Sequence, residues 1–183
     1  MNNKLKNILA ELEKTSSLYW NISRPTAIFI NSIIKEAKYK TILEVGTSTG
    51  YSGLWIAEAL SQNNGHLYTM ESHAKGRFAL GEETFAKSGL QKHITHILGH
   101  APEAIPTTPK KFDLVFLDAT KEEYVDHFEA LKSRIKKGGT IIADNLYSHS
   151  IPLKPFVEKI NSTPDWKVYE IAIGTGLLIG VKN

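Results

Sequence analysis

Three oxygen-bearing side chains follow two short apolar runs in the second half of the sequence. Asp118 comes directly after the run ending at Leu117, and Asp144 and Asn145 come directly after the run ending at Ala143. If both runs are strands of one parallel sheet, their carboxyl ends meet at the edge where such sheets bind ligands. Carboxylate and amide oxygens suit hard cations, so the set predicts a site for Mg²⁺ or Mn²⁺. The alternative is structural, with Asp118 capping a helix and Asp144-Asn145 forming a turn.

Lys121 stands three residues beyond Asp118, so both side chains can face one cleft at the start of a helix. In a partly desolvated site beside a metal, a lysine loses its proton more easily and acts as a base toward a hydroxyl. The alternative is an ordinary solvated lysine, the usual state of this residue type. We predict Lys121 as the catalytic residue.

A glycine-containing turn follows the first apolar run, with Gly46 and Gly50 four positions apart. This G-x-x-x-G spacing differs from the G-x-G-x-x-G turn that binds a dinucleotide pyrophosphate. Glu71 ends the second run about twenty positions later, where a carboxylate can accept both hydroxyls of a ribose. By itself Glu71 would be interpreted as an exposed loop residue, but together with the glycine turn it predicts a nucleoside cofactor.

Two histidines, His73 and His100, follow the second and third runs and are placed to border a nucleobase, although lone histidines are more often ordinary loop residues. The segment 46–50 also matches G-x-S-x-G, but its position after the first run argues against a serine nucleophile. The absence of cysteine excludes disulfides, cysteine nucleophiles and thiolate metal sites.

The elements that must position these residues alternate along the chain. Short apolar runs separated by helical patterns predict a Rossmann-like, doubly wound α/β fold, with a mostly parallel seven-stranded sheet and helices on both faces. The predicted strands are Thr41–Val45, His66–Met70, Ile94–Leu98, Asp113–Leu117, Thr140–Ala143, Trp166–Ile173 and Leu177–Val181. The predicted helices between them are Tyr51–Leu60, Lys75–Ser88, Ala101–Ile105, Glu122–Ile135 and Ile151–Ile160. A tight glycine turn at 174–176 joins the last two strands into an antiparallel hairpin.

Two further helical patterns precede the first strand. One covers residues 4–13, and after a break at Ser16–Ser17 the other starts at Ser23-Arg24-Pro25, with a serine cap and a proline in the first turn. No linker or repeat interrupts the chain. We predict one domain over residues 1–183, with the helices of residues 1–38 packed on its core.

The charge and composition narrow the class of protein. The 22 Lys and Arg against 19 Asp and Glu leave a net charge of +3, too small for a dedicated nucleic-acid binder. No stretch approaches the ~18 apolar residues of a membrane span, and the start lacks the apolar region of a signal peptide. We therefore expect a soluble, cytoplasmic protein without a membrane partner, and a homodimer stays open.

Four segments together resemble the class I S-adenosylmethionine-dependent O-methyltransferases, most closely the cation-dependent catechol and caffeoyl-CoA type. They are ILEVGTSTGYSGLWIAEAL (42–60), YTMES (68–72), FDLVFLDATKEEY (112–124) and KKGGTIIADN (136–145). The resemblance implies S-adenosyl-L-methionine as the cofactor, with Glu71 on its ribose, and it matches the metal ligands and Lys121 as assigned above. The residues that it implies around the cofactor are Ile22, Glu44, Gly46, Thr47, Ser48, Tyr51, Ser52, Glu71, Ser72, His73, His100, Ala101 and Asp118.

The sequence departs from that family pattern at two places. Only a short segment follows Asn145, where family members usually carry a longer insertion that wraps the substrate, and Thr175 stands where an aspartate is common. The implied function is metal-assisted transfer of a methyl group to a hydroxyl of a small catechol-like or other vicinal-oxygen acceptor. Two alternatives stay open: a methyltransferase acting on a hydroxylated tRNA nucleoside, and a cofactor-binding protein without turnover.

Overall fold

Seven strands form one mixed sheet in the computed structural model of the chain, which describes residues 1–183. They are β1 (Thr41–Val45), β2 (His66–Glu71), β3 (Ile94–Leu98), β4 (Phe112–Leu117), β5 (Ile135–Ala143), β6 (Trp166–Ile171) and β7 (Leu177–Lys182). Their order across the sheet is β3-β2-β1-β4-β5-β7-β6. The first five strands are parallel, and β7 runs antiparallel to both β5 and β6. The predicted fold class, including the antiparallel C-terminal hairpin, is confirmed.

Seven α-helices accompany the sheet. They are α1 (Asn3–Lys14), α2 (Ser16–Tyr19), α3 (Arg24–Glu36), α4 (Tyr51–Gln62), α5 (Ala79–Ser88), α6 (Tyr124–Leu131) and α7 (Ser150–Ser162). Ser23 caps α3 as predicted, because its hydroxyl accepts a hydrogen bond of 3.2 Å from the Thr26 N–H. None of the helices is long and apolar enough to cross a membrane.

Because successive side chains of a strand point to opposite faces of the sheet, the protein has one apolar layer on each face. Ile42 of β1 lies in a cluster with residues of α1, α3 and α4, whereas the adjacent Leu43 lies in a second cluster with residues of α6 and α7. Leu5 and Leu9 attach α1 to the first cluster. Because β2 and β4 flank β1 on opposite sides, the order of strands reverses next to β1, and the carboxyl ends there border a crevice.

The fifth strand is longer than the apolar run predicted. β5 begins at Ile135, and its first half contains the Lys-Lys-Gly-Gly sequence of residues 136–139, which leaves no apolar signal. The helix predicted over Glu122–Ile135 is correspondingly shorter. It consists of a 3₁₀ turn at Lys121–Glu123 followed by α6, which ends at Leu131.

Three other local predictions are wrong in detail. The helix expected over Ala101–Ile105 is replaced by turns and a 3₁₀ segment, Ile105–Thr107, since the prolines in this region supply no N–H donors. The helix expected from Lys75 becomes regular only at Ala79, because Gly76 has a φ of 97° and interrupts it. The break expected at Ser16–Ser17 is instead the start of α2.

Candidate active site

One cavity of about 770 Å³ opens where β1, β2, β4 and β5 end. The segment between α2 and α3 forms part of its wall. The predicted site residues that line it are Ile22, Gly46, Ser48, Glu71, Ser72, His73, His100, Ala101, Asp118, Lys121, Asp144 and Asn145. The fold thus brings the predicted metal ligands, the predicted base and most of the predicted cofactor residues to one place.

The turn after β1 packs directly on the turn after β4. The N–H groups of Gly46 and Thr47 both donate to the Met70 carbonyl, at 3.0 and 3.2 Å. Gly46 has a φ of 104°, and a Cβ at this position would lie 2.2 Å from the carbonyl oxygen of Asp118. Only glycine therefore allows the two turns to approach this closely, and the glycine turn contacts Asp118, the first residue after β4, for this reason.

Glu71 is buried at the cavity wall, with 5% of its surface exposed. Its Oε2 accepts a hydrogen bond of 2.9 Å from the Ser48 N–H, and its Oε1 accepts one of 3.0 Å from the His73 N–H. The alternative of an exposed loop glutamate is therefore wrong. The carboxylate joins the glycine turn to the end of β2 and presents an acceptor at the cavity.

Lys121 and Asp118 form an ion pair inside the cavity. Lys121 Nζ lies 2.9 Å from Asp118 Oδ1, and the ammonium also lies 5.5 Å from the centre of the Tyr124 ring. Tyr124 is itself fixed because its hydroxyl donates to the Leu117 carbonyl at 3.0 Å. The alternative of a freely solvated Lys121 is wrong, since both partners of the pair are largely buried.

Asp144 and Asp118 together form an acidic corner of the cavity. Burial, followed by the nearby charge of Asp118, raises the pKa of Asp144 to about 6. Its Oδ1 accepts a hydrogen bond of 2.8 Å from the Thr175 hydroxyl. Asn145, which follows with a φ of 70°, donates from its amide nitrogen to Ser148 Oγ at 3.3 Å. No three His, Cys, Asp or Glu side chains converge to form a metal site from these residue types alone, and the predicted set is two carboxylates and one amide.

Four residues predicted at the cofactor do not line the cavity: Glu44, Thr47, Tyr51 and Ser52. All four are buried, either in the glycine turn or in the elements that adjoin it. Tyr51 donates its hydroxyl to Glu13 Oε1 at 2.7 Å, away from the cavity. Thr47 and Ser52 belong to the turn and to the start of α4, with their side chains in the interior. Position in the motif predicts all four at the cofactor, but the orientation of the strand, turn or helix directs each side chain elsewhere.

Glu44 is a fully buried carboxyl group under this turn. Its Oε2 accepts a hydrogen bond of 2.5 Å from the Thr69 hydroxyl, which is also 2.6 Å from the Thr47 hydroxyl. Its other oxygen has no hydrogen-bond partner. Burial raises the pKa of Glu44 to about 7, against the hydrogen bond from Thr69. Through Thr69 and Thr47, the Glu44 carboxyl supports the glycine turn from the interior of the protein.

The predicted nucleobase region is built around His100. Its two ring nitrogens contact Glu103 at 2.9 Å and Glu123 at 3.1 Å, and the hydrogen bond with Glu103 raises the pKa of the imidazole. Ala101, next in sequence, is buried, and its carbonyl lies 3.3 Å from the buried ring of His127. His73, by contrast, contacts Glu71 with its ring at 3.1 Å.

Sequence reasoning missed several residues of the cavity wall, including Trp20, Arg77, His127 and Thr175. Trp20 lies before the first strand, where no rule about strand ends applies. Arg77 lies in the interrupted segment after β2. The Ser-Arg-Pro helix start, only three residues after Trp20, is the one local signal that this part of the chain is held in place.

Comparison with known proteins places the chain in a family. The family model described as O-methyltransferase matches residues 2–179. A catechol O-methyltransferase from Niastella koreensis is 32% identical over 122 residues, which cover 64% of this chain and 54% of that enzyme. A caffeoyl-CoA O-methyltransferase from Arabidopsis thaliana is 31% identical over 153 residues, which cover 78% and 58%. The match therefore spans only about half of each of these relatives' own length.

Solved structures share the fold over nearly the whole chain. An O-methyltransferase from Bacillus cereus in complex with SAH has a TM-score of 0.86 at 22% identity, covering 100% of this chain and 92% of that one. The SAH-bound methyltransferase PaMTH1 from Podospora anserina has a TM-score of 0.90 at 20% identity, covering 100% and 89%. The chain belongs to the O-methyltransferase family, and its resemblance to the S-adenosylmethionine-dependent enzymes of catechol and caffeoyl-CoA type is confirmed.

Proposed function

We propose that the protein transfers a methyl group from S-adenosylmethionine to a hydroxyl of a small acceptor that carries two neighbouring oxygens, with help from a divalent cation. The observation that carries this proposal is the convergence of Asp118, Lys121 and Asp144 in the cavity that Glu71 also lines. The residues proposed to bind a nucleoside, to hold the cation and to act as the base therefore line the same cavity.

The cofactor half of the proposal rests on the glycine turn and Glu71. The Glu71 carboxylate is buried, and its acceptor capacity exceeds the hydrogen bonds that Ser48 and His73 supply. Ribose hydroxyls are donors of the kind that such a carboxylate binds in α/β folds. The related structures from Bacillus cereus and Podospora anserina contain SAH, the product that this reaction would leave.

The residues present fit a divalent cation. Burial and the charge of Asp118 raise the pKa of Asp144 to about 6, because both disfavour its ionised form, and a cation bound beside the two carboxylates would offset that cost. Asp118, Asp144 and Asn145 would hold the cation through oxygen atoms, which suits Mg²⁺ or Mn²⁺. A bound cation of this kind lowers the pKa of a coordinated hydroxyl and fixes its direction.

Lys121 has the position of a base in this arrangement. The ion pair with Asp118 and the contact with the Tyr124 ring hold Nζ at the cavity wall. From there Lys121, in its neutral amine form, would take the acceptor proton at Nζ, leaving an oxygen anion to attack the methyl carbon in line with the departing sulfur. The buried residues that support the glycine turn would keep this turn, and the methyl donor bound to it, in a fixed position during the displacement.

The names of the relatives support the proposed acceptor class. Those named above are a catechol and a caffeoyl-CoA O-methyltransferase, whose named substrates are aromatic or carry an aromatic group. In this chain only residues 144–149 separate β5 from α7, so no long insertion covers the acceptor end. We therefore propose a small vicinal diol, such as a catechol, in an open site. Nothing in the cavity favours a tRNA nucleoside.

The test is a methyl-transfer assay with labelled S-adenosylmethionine and a panel of catechols, with and without Mg²⁺. The proposal expects label on one hydroxyl of a catechol, SAH as the second product, and loss of both in excess chelator. Matched acceptors with a single hydroxyl should react far more slowly, because they cannot present two neighbouring oxygens. Equal rates for the single and vicinal hydroxyls would overturn the proposed acceptor class.

A further inference from the structure

Trp20 and Arg77 face each other at the cavity, although they come from distant parts of the chain. The guanidinium carbon of Arg77 lies 5.2 Å from the centre of the Trp20 ring, and both residues line the cavity. No hydrogen bond or ion pair joins residues 16–23 to residues 72–78. This cation–π contact therefore links the segment before α3 to the segment after β2.

The backbone around Trp20 is held in place while its side chain is left exposed. Trp20 has left-handed backbone angles, with φ at 55°, and 74% of its surface is exposed. On one side the Tyr19 carbonyl accepts a hydrogen bond from Ser48 Oγ, and on the other Asn21 Oδ1 accepts one of 2.8 Å from Thr49. The glycine turn thus fixes both neighbours, and left-handed angles are uncommon for a residue as bulky as tryptophan.

Arg77 is held in a similar way. Gly76, with a φ of 97°, turns the chain just before it, and the Phe78 ring just after it stacks on His96 at 4.0 Å. Arg77 between them is half-buried, and its guanidinium has no acidic partner. Lys121, the other basic side chain of Lys or Arg type at the cavity, is already paired with Asp118. Arg77 is therefore the cation of this cavity that is free to bind an anion.

We infer that Arg77 and Trp20 form a subsite for a carboxylate-bearing ligand, in which the guanidinium binds the carboxylate and the indole covers the ligand beside it. A planar guanidinium donates two parallel N–H groups to a carboxylate, and an aromatic face binds apolar or cationic groups. This inference rests on the proposed function, because the carboxylate has two sources: the amino-acid end of the cofactor, or an acidic group on the acceptor.

Calorimetry on Arg77→Met separates these sources. If the cofactor supplies the carboxylate, SAH should bind about tenfold or more weakly to the variant, while 5′-methylthioadenosine, which lacks the amino-acid end, should bind as to wild type. If the acceptor supplies it, SAH affinity should stay unchanged. The SAH-loaded variant should then lose the binding preference of wild type for 3,4-dihydroxybenzoate over 3,4-dihydroxybenzamide.

Lys75→Met is the matched control, since Lys75 is exposed, lies two residues away and does not line the cavity. It should leave all four affinities unchanged, and Trp20→Ala should weaken the same ligand as Arg77→Met. Arg77→Met with wild-type SAH affinity and wild-type preference for the benzoate overturns the subsite, as does an equal loss in Lys75→Met. Wild-type protein that binds SAH but transfers no methyl group overturns the proposed function alone.

Discussion

Gly46 and Asp118 are in backbone contact: a Cβ on Gly46 would lie 2.2 Å from the carbonyl oxygen of Asp118. The turn that should hold the cofactor and the residue that should bind the cation are therefore one packed unit. The Asp118 N–H also donates to the carbonyl of Val45, the residue before Gly46, at 2.9 Å. A substitution in either turn should therefore alter the structure of the other turn.

Gly46→Ala should destabilise the protein by about 3 kcal/mol or more, because a Cβ there meets backbone and the φ of 104° is strained for alanine. Urea unfolding measures the loss. Gly89→Ala is the control, since Gly89 also has a positive φ, 77°, but its added Cβ would meet no atom within 4 Å. Equal losses in the two variants would show that the contact with Asp118 contributes nothing.

Glu71→Ala should weaken S-adenosylmethionine binding by roughly 1–3 kcal/mol, since the ribose hydroxyls lose their acceptor and the Ser48 N–H loses its partner. Calorimetry on the purified variant measures it. Glu170→Ala, which removes an exposed carboxylate on β6, should bind the cofactor normally. Wild-type affinity in Glu71→Ala would remove Glu71 from the cofactor site.

Excess chelator should abolish methyl transfer, and added Mg²⁺ or Mn²⁺ should restore it, because the cation proposed at Asp118 and Asp144 would lower the pKa of the acceptor hydroxyl. Asp144→Asn should not be restored, although SAH binding should persist. Asp126→Asn, an exposed change on α6, should behave as wild type. Full turnover in chelator would show that the acidic corner is structural.

Lys121→Met should keep cofactor and cation affinity near wild type while turnover falls about 10²–10⁴-fold, the usual contribution of a general base. The low-pH limb of the rate profile should also change, because proton loss would then depend on the acceptor alone. Lys137→Met, an exposed change on β5, is the control. Unchanged turnover with an unchanged profile would rule out Lys121 as the base.

Glu44→Gln should change how stability depends on pH. The pKa of Glu44 is raised from 4.5 to about 7 in the folded protein, so between these values the folded state binds more protons than the unfolded state. Wild-type stability therefore falls as pH rises through this window, by at most about 3 kcal/mol from this group. Unfolding of both proteins at pH 5 and pH 8 tests it, with Glu44→Gln gaining relative to wild type at the higher pH. Parallel pH curves would contradict the assignment.

The pattern of apolar runs was enough to predict the strands, because the central strands lie largely in the interior and the last two meet at a glycine turn. It failed where exposed residues extend a strand. The first half of β5 contains Lys136 and Lys137, both exposed, and its pairing with β4 is irregular there. The pattern also failed for the helix expected from Lys75. Gly76 interrupts that helix with a positive φ, which the apolar pattern does not predict.

The strand-end rule was enough to bring Asp118, Asp144 and Glu71 to one cavity. It says nothing about residues outside strand ends, which is why Trp20 and Arg77 were missed. Motif position also misplaced Glu44. It shares a face of β1 with Ile42, and that face is covered by α4 rather than open to the cavity.

The place of β7 in the sheet has a consequence for biosynthesis. β7 lies between β5 and β6. In the turn before β7, the Thr175 hydroxyl donates a hydrogen bond to Asp144. The Gly176 carbonyl in the same turn accepts a hydrogen bond of 2.9 Å from the Leu146 N–H. Residues 177–182 follow β5 and all the candidate site residues in the chain, so they leave the ribosome after them. Until they emerge, β5 remains an open edge that other chains can pair with, and Asp144 lacks its hydroxyl partner. A nascent chain stalled before Thr175 would thus carry nearly every candidate site residue and still be prone to aggregate.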